Sequence, residues 1–212
     1  IATVLSLFIA NALNHDIKLK AVFQTSFFLP MVTSITAVGL VWKWLFNYDY
    51  GLINYMLSLF GISAINWLNN PAYNLAALII YSVWSMLPFT IILLLAGFQN
   101  VDPQYYTAAR VDGAKSSKIF FRITLPLLAP TIGLTTIINM ISASKVFTEL
   151  FPLFNGKPGS AYSLYTVVYY LYDMFYAQWK LGKAAASAII LFLIVLILTL
   201  IQLRIQRKWK NY

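Results

Sequence analysis

Four stretches of this chain are long and apolar enough to cross a bilayer, and that repeated length restricts the fold before any motif is considered. Residues 21–46, 73–98, 127–144 and 184–203 each come close to or exceed the roughly 20 residues a helix needs to span hydrocarbon. A further apolar run, 1–13, is too short to span and has no basic segment before it. It reads as the end of a spanning helix whose earlier residues precede Ile1. Backbone polar groups in lipid must be bonded within the segment, so the expected fold is an all-α polytopic transmembrane bundle with five spans visible.

Composition agrees. Of the 212 residues, 60% are hydrophobic and 10% charged, which would leave a soluble domain without enough polar surface. The net charge of +9 sits in short clusters between apolar runs, which argues against nucleic acid as a partner. With no cysteine there is no disulfide, thiol chemistry or cysteine-ligated metal. The single histidine, His15, stands beside Asp16 in a polar turn and reads as a solvated loop residue.

Basic residues favour the cytoplasmic side. Lys18 and Lys20 mark one turn, Arg110, Lys115, Lys118 and Arg122 the central loop, and Arg204, Arg207, Lys208 and Lys210 the tail. Five spans place all three clusters on one side, with the C-terminus cytoplasmic. The tyrosine-rich segment 161–179, which carries Asp173, is therefore expected to be a helix on the outer surface and not a sixth span. The connections 47–71 and 149–183 then lie outside. Trp42 and Trp44 flank Lys43 as an aromatic belt around a snorkelling lysine.

The segment 99–126 is too polar for lipid and too patterned for a linker. Asp102-Pro103 is a helix start, with a capping acceptor followed by a proline in the first turn. Gly113 suits a left-handed stop after Val111. A second short helix, 115–123, places Ile119, Phe120 and Ile123 on one face, and Pro126 is expected to separate it from the next span. The pattern describes a rigid helix–glycine–helix knob. Residue chemistry alone is equally compatible with a loop folded against its own bundle.

The spacing resembles a family pattern. Ala108-Ala109, three residues, Gly113, nine residues and Ile123-Thr124-Leu125-Pro126 are similar to the "EAA" loop of ABC-importer permeases. Asp112-Gly113-Ala114 and Ile123–Pro126 look like the MalF/UgpA type, the carbohydrate-uptake branch, as do Phe28-Leu29-Pro30, residues 42–46, Gly51-Leu52-Ile53-Asn54, Trp67-Leu68 and Ala96-Gly97-Phe98. The resemblance covers nearly the whole chain. It implies a MetI-like permease core of about six spans filling residues 1–212 as one N-terminally incomplete transmembrane domain, with 99–126 as its cytoplasmic coupling loop.

The resemblance also implies a site. Thr107, Ala108, Ala109, Asp112, Gly113, Ala114, Phe120, Ile123, Leu125 and Pro126 would form the docking element for an ATPase. The partners implied are a second homologous permease, two nucleotide-binding subunits and an extracytoplasmic solute-binding protein, in a bacterial cytoplasmic (inner) membrane. Two departures stand out. Thr107 occupies the family's glutamate position, and Lys157 interrupts what is usually a Gly-Gly-Pro turn.

The chain carries no phosphate-binding loop: Gly156-Lys157 is followed by proline, and Gly182-Lys183 lacks an upstream glycine. ATP and Mg²⁺ would therefore be handled by the partner ATPase, with no cofactor bound here and no catalysis by this chain. A solute path needs polar groups within the bundle. Thr135, Asn139 and Ser142 form one stripe of a span, and Ser82 and Ser85, with Phe89 and a kink at Pro88, line another. These residue types suit sugars but equally bond helix to helix. No charge lies mid-span, which argues against an ion relay. Competing readings are import of another polar solute, such as a glycerophosphodiester, with Lys145 the candidate cation, and a membrane-embedded enzyme, for which clustered His, Asp or Glu is lacking.

Overall fold

The computed structural model describes residues 1–15, 18 and 20–209. Asp16 and Lys210, and the side chains of Lys20, Arg207 and Lys208, lie outside what it describes. In chain order the helices are α1 (Ala2–Asn14), α2 (Lys20–Val32), α3 (Ile35–Leu45), α4 (Leu52–Leu59), α5 (Pro71–Gln99), α6 (Pro103–Val111) and α7 (Ser116–Leu127). Then come α8 (Ala129–Ser144), α9 (Leu150–Phe154), α10 (Val167–Tyr172) and α11 (Leu181–Trp209). No strand occurs among the described residues, and the all-α expectation holds.

Two helices, α5 and α11, are by themselves long and apolar enough to cross a membrane, and two bent pairs, α2 with α3 and α7 with α8, raise the number to four. The expected span 21–46 is therefore corrected to two helices parted at Thr33-Ser34, where Ser34 is extended (φ −59°, ψ 129°). Pro30 lies in the last turn before this break, where its missing N–H and its ring already weaken the ladder.

The expected span 127–144 is likewise corrected. It begins at Ala129, after a bend of 66° from α7. Pro126, expected to end the preceding helix, lies inside it. A π turn over Phe120–Thr124 lets Leu125 N–H reach the Phe120 carbonyl five residues back, widening the turn ahead of the proline ring. The break falls instead at Leu128, because Pro130 has no N–H for the carbonyl of Pro126.

A third correction concerns 161–179. This segment is not one helix: a 3₁₀ turn at Ser160–Tyr162 leads to α10, which closes in a π turn over Asp173–Ala177. Thr166 sets the start by accepting a bond from Tyr169 N at 3.1 Å, and Trp179 ends the segment in the left-handed region (φ 53°).

The chain clusters into two compact units. The first holds residues 1–31, 86–141 and 196–212, and the second residues 32–85 and 142–195. In the first, Ala10 and Leu13 of α1 pack with Ile91, Leu94, Leu95 and Phe98 of α5 and with Leu128. In the second, Phe46, Trp67, Ala77, Leu78 and Tyr81 meet Leu150, Leu153 and Phe154 of α9, with Trp42 against Trp84 at 5.4 Å. Asn54 (5% exposed) staples the 47–70 connection: its Oδ1 accepts from Trp67 Nε1 (2.9 Å) and Ile65 N (3.2 Å), and its Nδ2 donates to Ile65 O (3.0 Å). Most of α11 stays exposed, including Ile189, Ile190, Phe192 and Leu193, as suits a helix whose solvent is lipid.

Candidate functional site

In the first unit, α6 begins as its residues dictate. Asp102 Oδ1 accepts from Gln104 N at 2.8 Å, and Pro103 occupies the first turn, where no N–H is needed. The helix closes in a Schellman turn: Gly113 N donates to Arg110 O and Ala114 N to Ala109 O, both at 3.0 Å. Gly113 has φ +71°, and a Cβ there would meet nothing within 4 Å. Glycine is required by the backbone alone.

Ala109 is buried and faces inward, whereas Gln104, Thr107, Ala108 and Val111 recur at helical spacing on the outward face. With Pro103 and Asp112 they line an open groove of about 520 Å³. Val111, at 83% exposed, is the most prominent apolar side chain on it. Thr107 Oγ1 donates back to Pro103 O at 3.2 Å, so this position offers a groove wall and no carboxylate.

The rest of the predicted set divides by role. Phe120, Ile123 and Leu125 are half-buried on α7, and Phe120 and Tyr106 pack on the first unit's core. Ala114 is half-buried, while Asp112, Gly113 and Pro126 are exposed. The segment is thus both a knob and a loop anchored to its own bundle. Buried residues fix its pose, and α6 presents the free face.

The solute-path expectation divides too. Asn139 is engaged in helix packing: its Nδ2 donates to Thr3 Oγ1 (3.1 Å), and its amide exchanges bonds with Thr90 Oγ1 (3.1 and 3.2 Å). Thr135 is buried and bonds back to Ile132 O at 2.9 Å. Ser82 Oγ is buried without a partner among the described residues. Ser85 and Phe89 on α5 and Ser142 on α8 are exposed.

The second unit holds a larger pocket, about 770 Å³, that the residue pattern alone did not reveal. Its walls come from the end of α3 and the turn after it (Lys43, Asn47, Asp49), the connection into α5 (Asn66, Asn69) and the stretch from α9 to α10. Lys43, expected to snorkel in an aromatic belt, instead has its Nζ bonded to Asn155 Oδ1 at 2.6 Å. Asp173 accepts from Tyr165 Oη (2.7 Å) and Gln178 Nε2 (2.9 Å). Desolvation first, then this bond to Asp173, raises the Tyr165 phenol to about 12. The signal that could have located the pocket is the pair Gly156 and Gly159, both at positive φ in the stretch that borders it. Among the described residues no group of His, Asp or Glu has the makings of a metal site.

Comparison with known proteins accounts for the whole chain. The family described as the binding-protein-dependent transport system inner membrane component matches residues 2–211. The trehalose/maltose transport system permease protein of Thermococcus litoralis is 35% identical over 205 residues, covering 97% of this chain and 68% of that protein. The lactose transport system permease protein of Rhizobium radiobacter is 32% identical over 210 residues, covering 97% and 70%. The chain spans 61% of the length of some curated relatives and 70% of others. A crystal structure of a bacterial ABC transporter involved in the import of the acidic polysaccharide alginate superposes with a TM-score of 0.82 at 25% identity, covering 96% of this chain and 71% of that one. A polytopic helical chain with a capped, glycine-hinged polar loop, matched from residue 2 to residue 211, belongs to the family of inner membrane components of binding-protein-dependent transport systems.

Proposed function

We propose that this chain is the permease subunit of an ATP-driven oligosaccharide importer, and that α6 and α7 form the element through which a separate ATPase moves it. The observation that carries this reading is the groove on α6, exposed and apolar at Val111, on a helix whose exit is locked by the Gly113 turn. A rigid element transmits a push that a mobile loop would absorb. The half-buried anchors Tyr106 and Phe120 connect that push to the first unit's core.

The proposed machine contains a second permease, two nucleotide-binding subunits that bind ATP and Mg²⁺, and an extracytoplasmic solute-binding protein. The loop and the C-terminus are cytoplasmic, in line with the basic clusters at Arg110–Arg122 and Arg204. A saccharide cargo is favoured by the relatives named for trehalose, maltose, lactose and arabinooligosaccharides. Ser85, Phe89 and Ser142, exposed on their helices, are the candidates for contact with solute during alternating access, whereas Asn139 ties α8 to α1 and α5 and Thr135 is buried and bonded within α8. Reconstitution with the cognate ATPase and binding protein tests this. Labelled oligosaccharide uptake that needs both, and ceases without ATP, is expected; uptake indifferent to ATP, or none for any saccharide, would contradict it.

A further inference from the structure

The pocket of the second unit is bordered by an unusual run of backbone. Five of the eight residues from Asn155 to Tyr162 have positive φ: Asn155 (56°), Gly156 (72°), Gly159 (70°), Ala161 (50°) and Tyr162 (59°). Three of them carry side chains: Asn155 tolerates the left-handed region at a helix end, whereas Ala161 and Tyr162 bear a cost of about 1 kcal/mol or more apiece. Such a conformation persists only where the surroundings impose it, and here they do. Asn74, fully buried, accepts from Ser160 N (2.6 Å) and Ser163 Oγ (2.8 Å) when its amide is oriented to satisfy both ends, and donates to the carbonyls of Trp67, Leu68 and Asn70. Ser160 Oγ donates to Leu68 O (3.2 Å), Tyr169 Oη to Gly156 O (2.9 Å), and Leu164 N to Pro158 O (2.9 Å).

This scaffold holds one large side chain away from the core. Tyr162 is 72% exposed, with its ring 5.9 Å from Tyr165 and 65° to it. Apart from this edge contact with Tyr165, the ring is open on a strained, over-determined turn. The pocket beside it offers the Nδ2 donors of Asn47 and Asn66, whose Oδ1 atoms accept from the backbone N–H groups of Asp49, Tyr50 and Asn69, together with the amide of Asn69. Its formal charges, Lys43 and Lys157 against Asp49 and Asp173, cancel. A volume of about 770 Å³ is suited to two or three sugar rings and not to a whole protein domain.

We infer that this pocket is a saccharide-binding site within the permease itself, taking one end of a neutral oligosaccharide with Tyr162 as its stacking platform. Ser85, Phe89 and Ser142 are not among its lining residues, and it refines the importer reading on which it rests. Rings stack on the flat face of a sugar while amides bond its hydroxyls. The balanced charge gives a uronate no net electrostatic gain to offset the desolvation of its carboxylates, which favours neutral sugars.

The test uses the assembled transporter in nanodiscs without binding protein, with maltotriose, arabinotriose and a triuronate as probes in saturation-transfer NMR. A neutral trisaccharide is expected to bind, the triuronate about tenfold more weakly or not at all. Tyr162→Ala should weaken binding about tenfold, while Tyr162→Phe retains it. Equal binding by wild type and Tyr162→Ala, or preference for the uronate, overturns the site. So does loss of binding-protein association in Tyr162→Ala with saccharide binding unchanged, which would make the turn a protein-docking surface. Uptake by the complete system is measured in parallel. Saccharide uptake with no binding here refutes the pocket and spares the importer reading, whereas no saccharide uptake at all removes both.

Discussion

Two left-handed turns carry the functional argument, and they are built in opposite ways. At Gly113 the turn closes with two backbone hydrogen bonds, and nothing crowds the glycine. At 155–162 three non-glycine residues adopt the same region, held by side chains from elsewhere in the fold. The first is a local device that any helix can end on. The second exists only once the second unit has assembled. A hinge that must keep one angle under load is well served by local closure, whereas a platform for a ligand is better fixed by many tertiary bonds.

Substitutions at the two glycines separate these designs, with the larger effect expected at the second turn. A Cβ at Gly159 would lie 2.8 Å from the Asn74 amide and from Ser163 Oγ, in addition to the φ of +70°. Gly159→Ala should therefore destabilise the turn by about 3 kcal/mol, read as faster hydrogen exchange across 155–165 with exchange at 103–114 unchanged. Equal loosening of both regions would break the distinction.

At Gly113 the cost is backbone strain alone. Gly113→Val, β-branched, should cost about 2 kcal/mol of hinge geometry, lowering substrate-stimulated ATPase activity and uptake roughly tenfold or more while assembly persists. Gly113→Asn, which tolerates the left-handed region, should stay near wild type. Full activity in Gly113→Val would remove the hinge from the mechanism.

Asp102→Ala loses the cap on Gln104 N and should cost about 1 kcal/mol of α6 stability, visible as fraying of the first turn by hydrogen exchange. The smallest effect belongs to Tyr165. Its phenol, raised from 10 to about 12, favours the protonated donor in the folded protein. That contribution is complete below pH 10 and is lost as pH rises through about 12. Spectral titration should show late-ionising tyrosines, Tyr169 among them because burial raises it too, and Tyr165→Phe should remove one of them. An unchanged titration would show that the Tyr165–Asp173 bond does not hold in solution.

Much of this was legible in the residues because it is local. The cap at Asp102, the proline after it and the stop at Gly113 are fixed by chemistry within four residues, and each was found where expected. The spans at α5 and α11 followed from apolar length. The rest was not legible where one residue acts on carbonyls or partners beyond its own turn. Pro126 reads as a helix terminator, but the π turn before it absorbs the ring. Asn139 reads as a cavity polar group, but Thr3 and Thr90 claim its amide, and Thr3 lies far away in sequence. The pocket depends on Asn74 meeting Ser160 and Ser163, a pairing that no spacing rule announces.

The 212 residues contain no cysteine, so a single introduced thiol reports on one place. The most direct test places Val111→Cys and, separately, Tyr162→Cys in the assembled transporter in membranes, each treated with a short bifunctional crosslinker. Val111→Cys should capture the nucleotide-binding subunit, in a yield that changes with ATP, and Tyr162→Cys should not. Capture of that subunit through Tyr162→Cys, or none through Val111→Cys in a transport-competent complex, would contradict the assignment of α6 as the docking face.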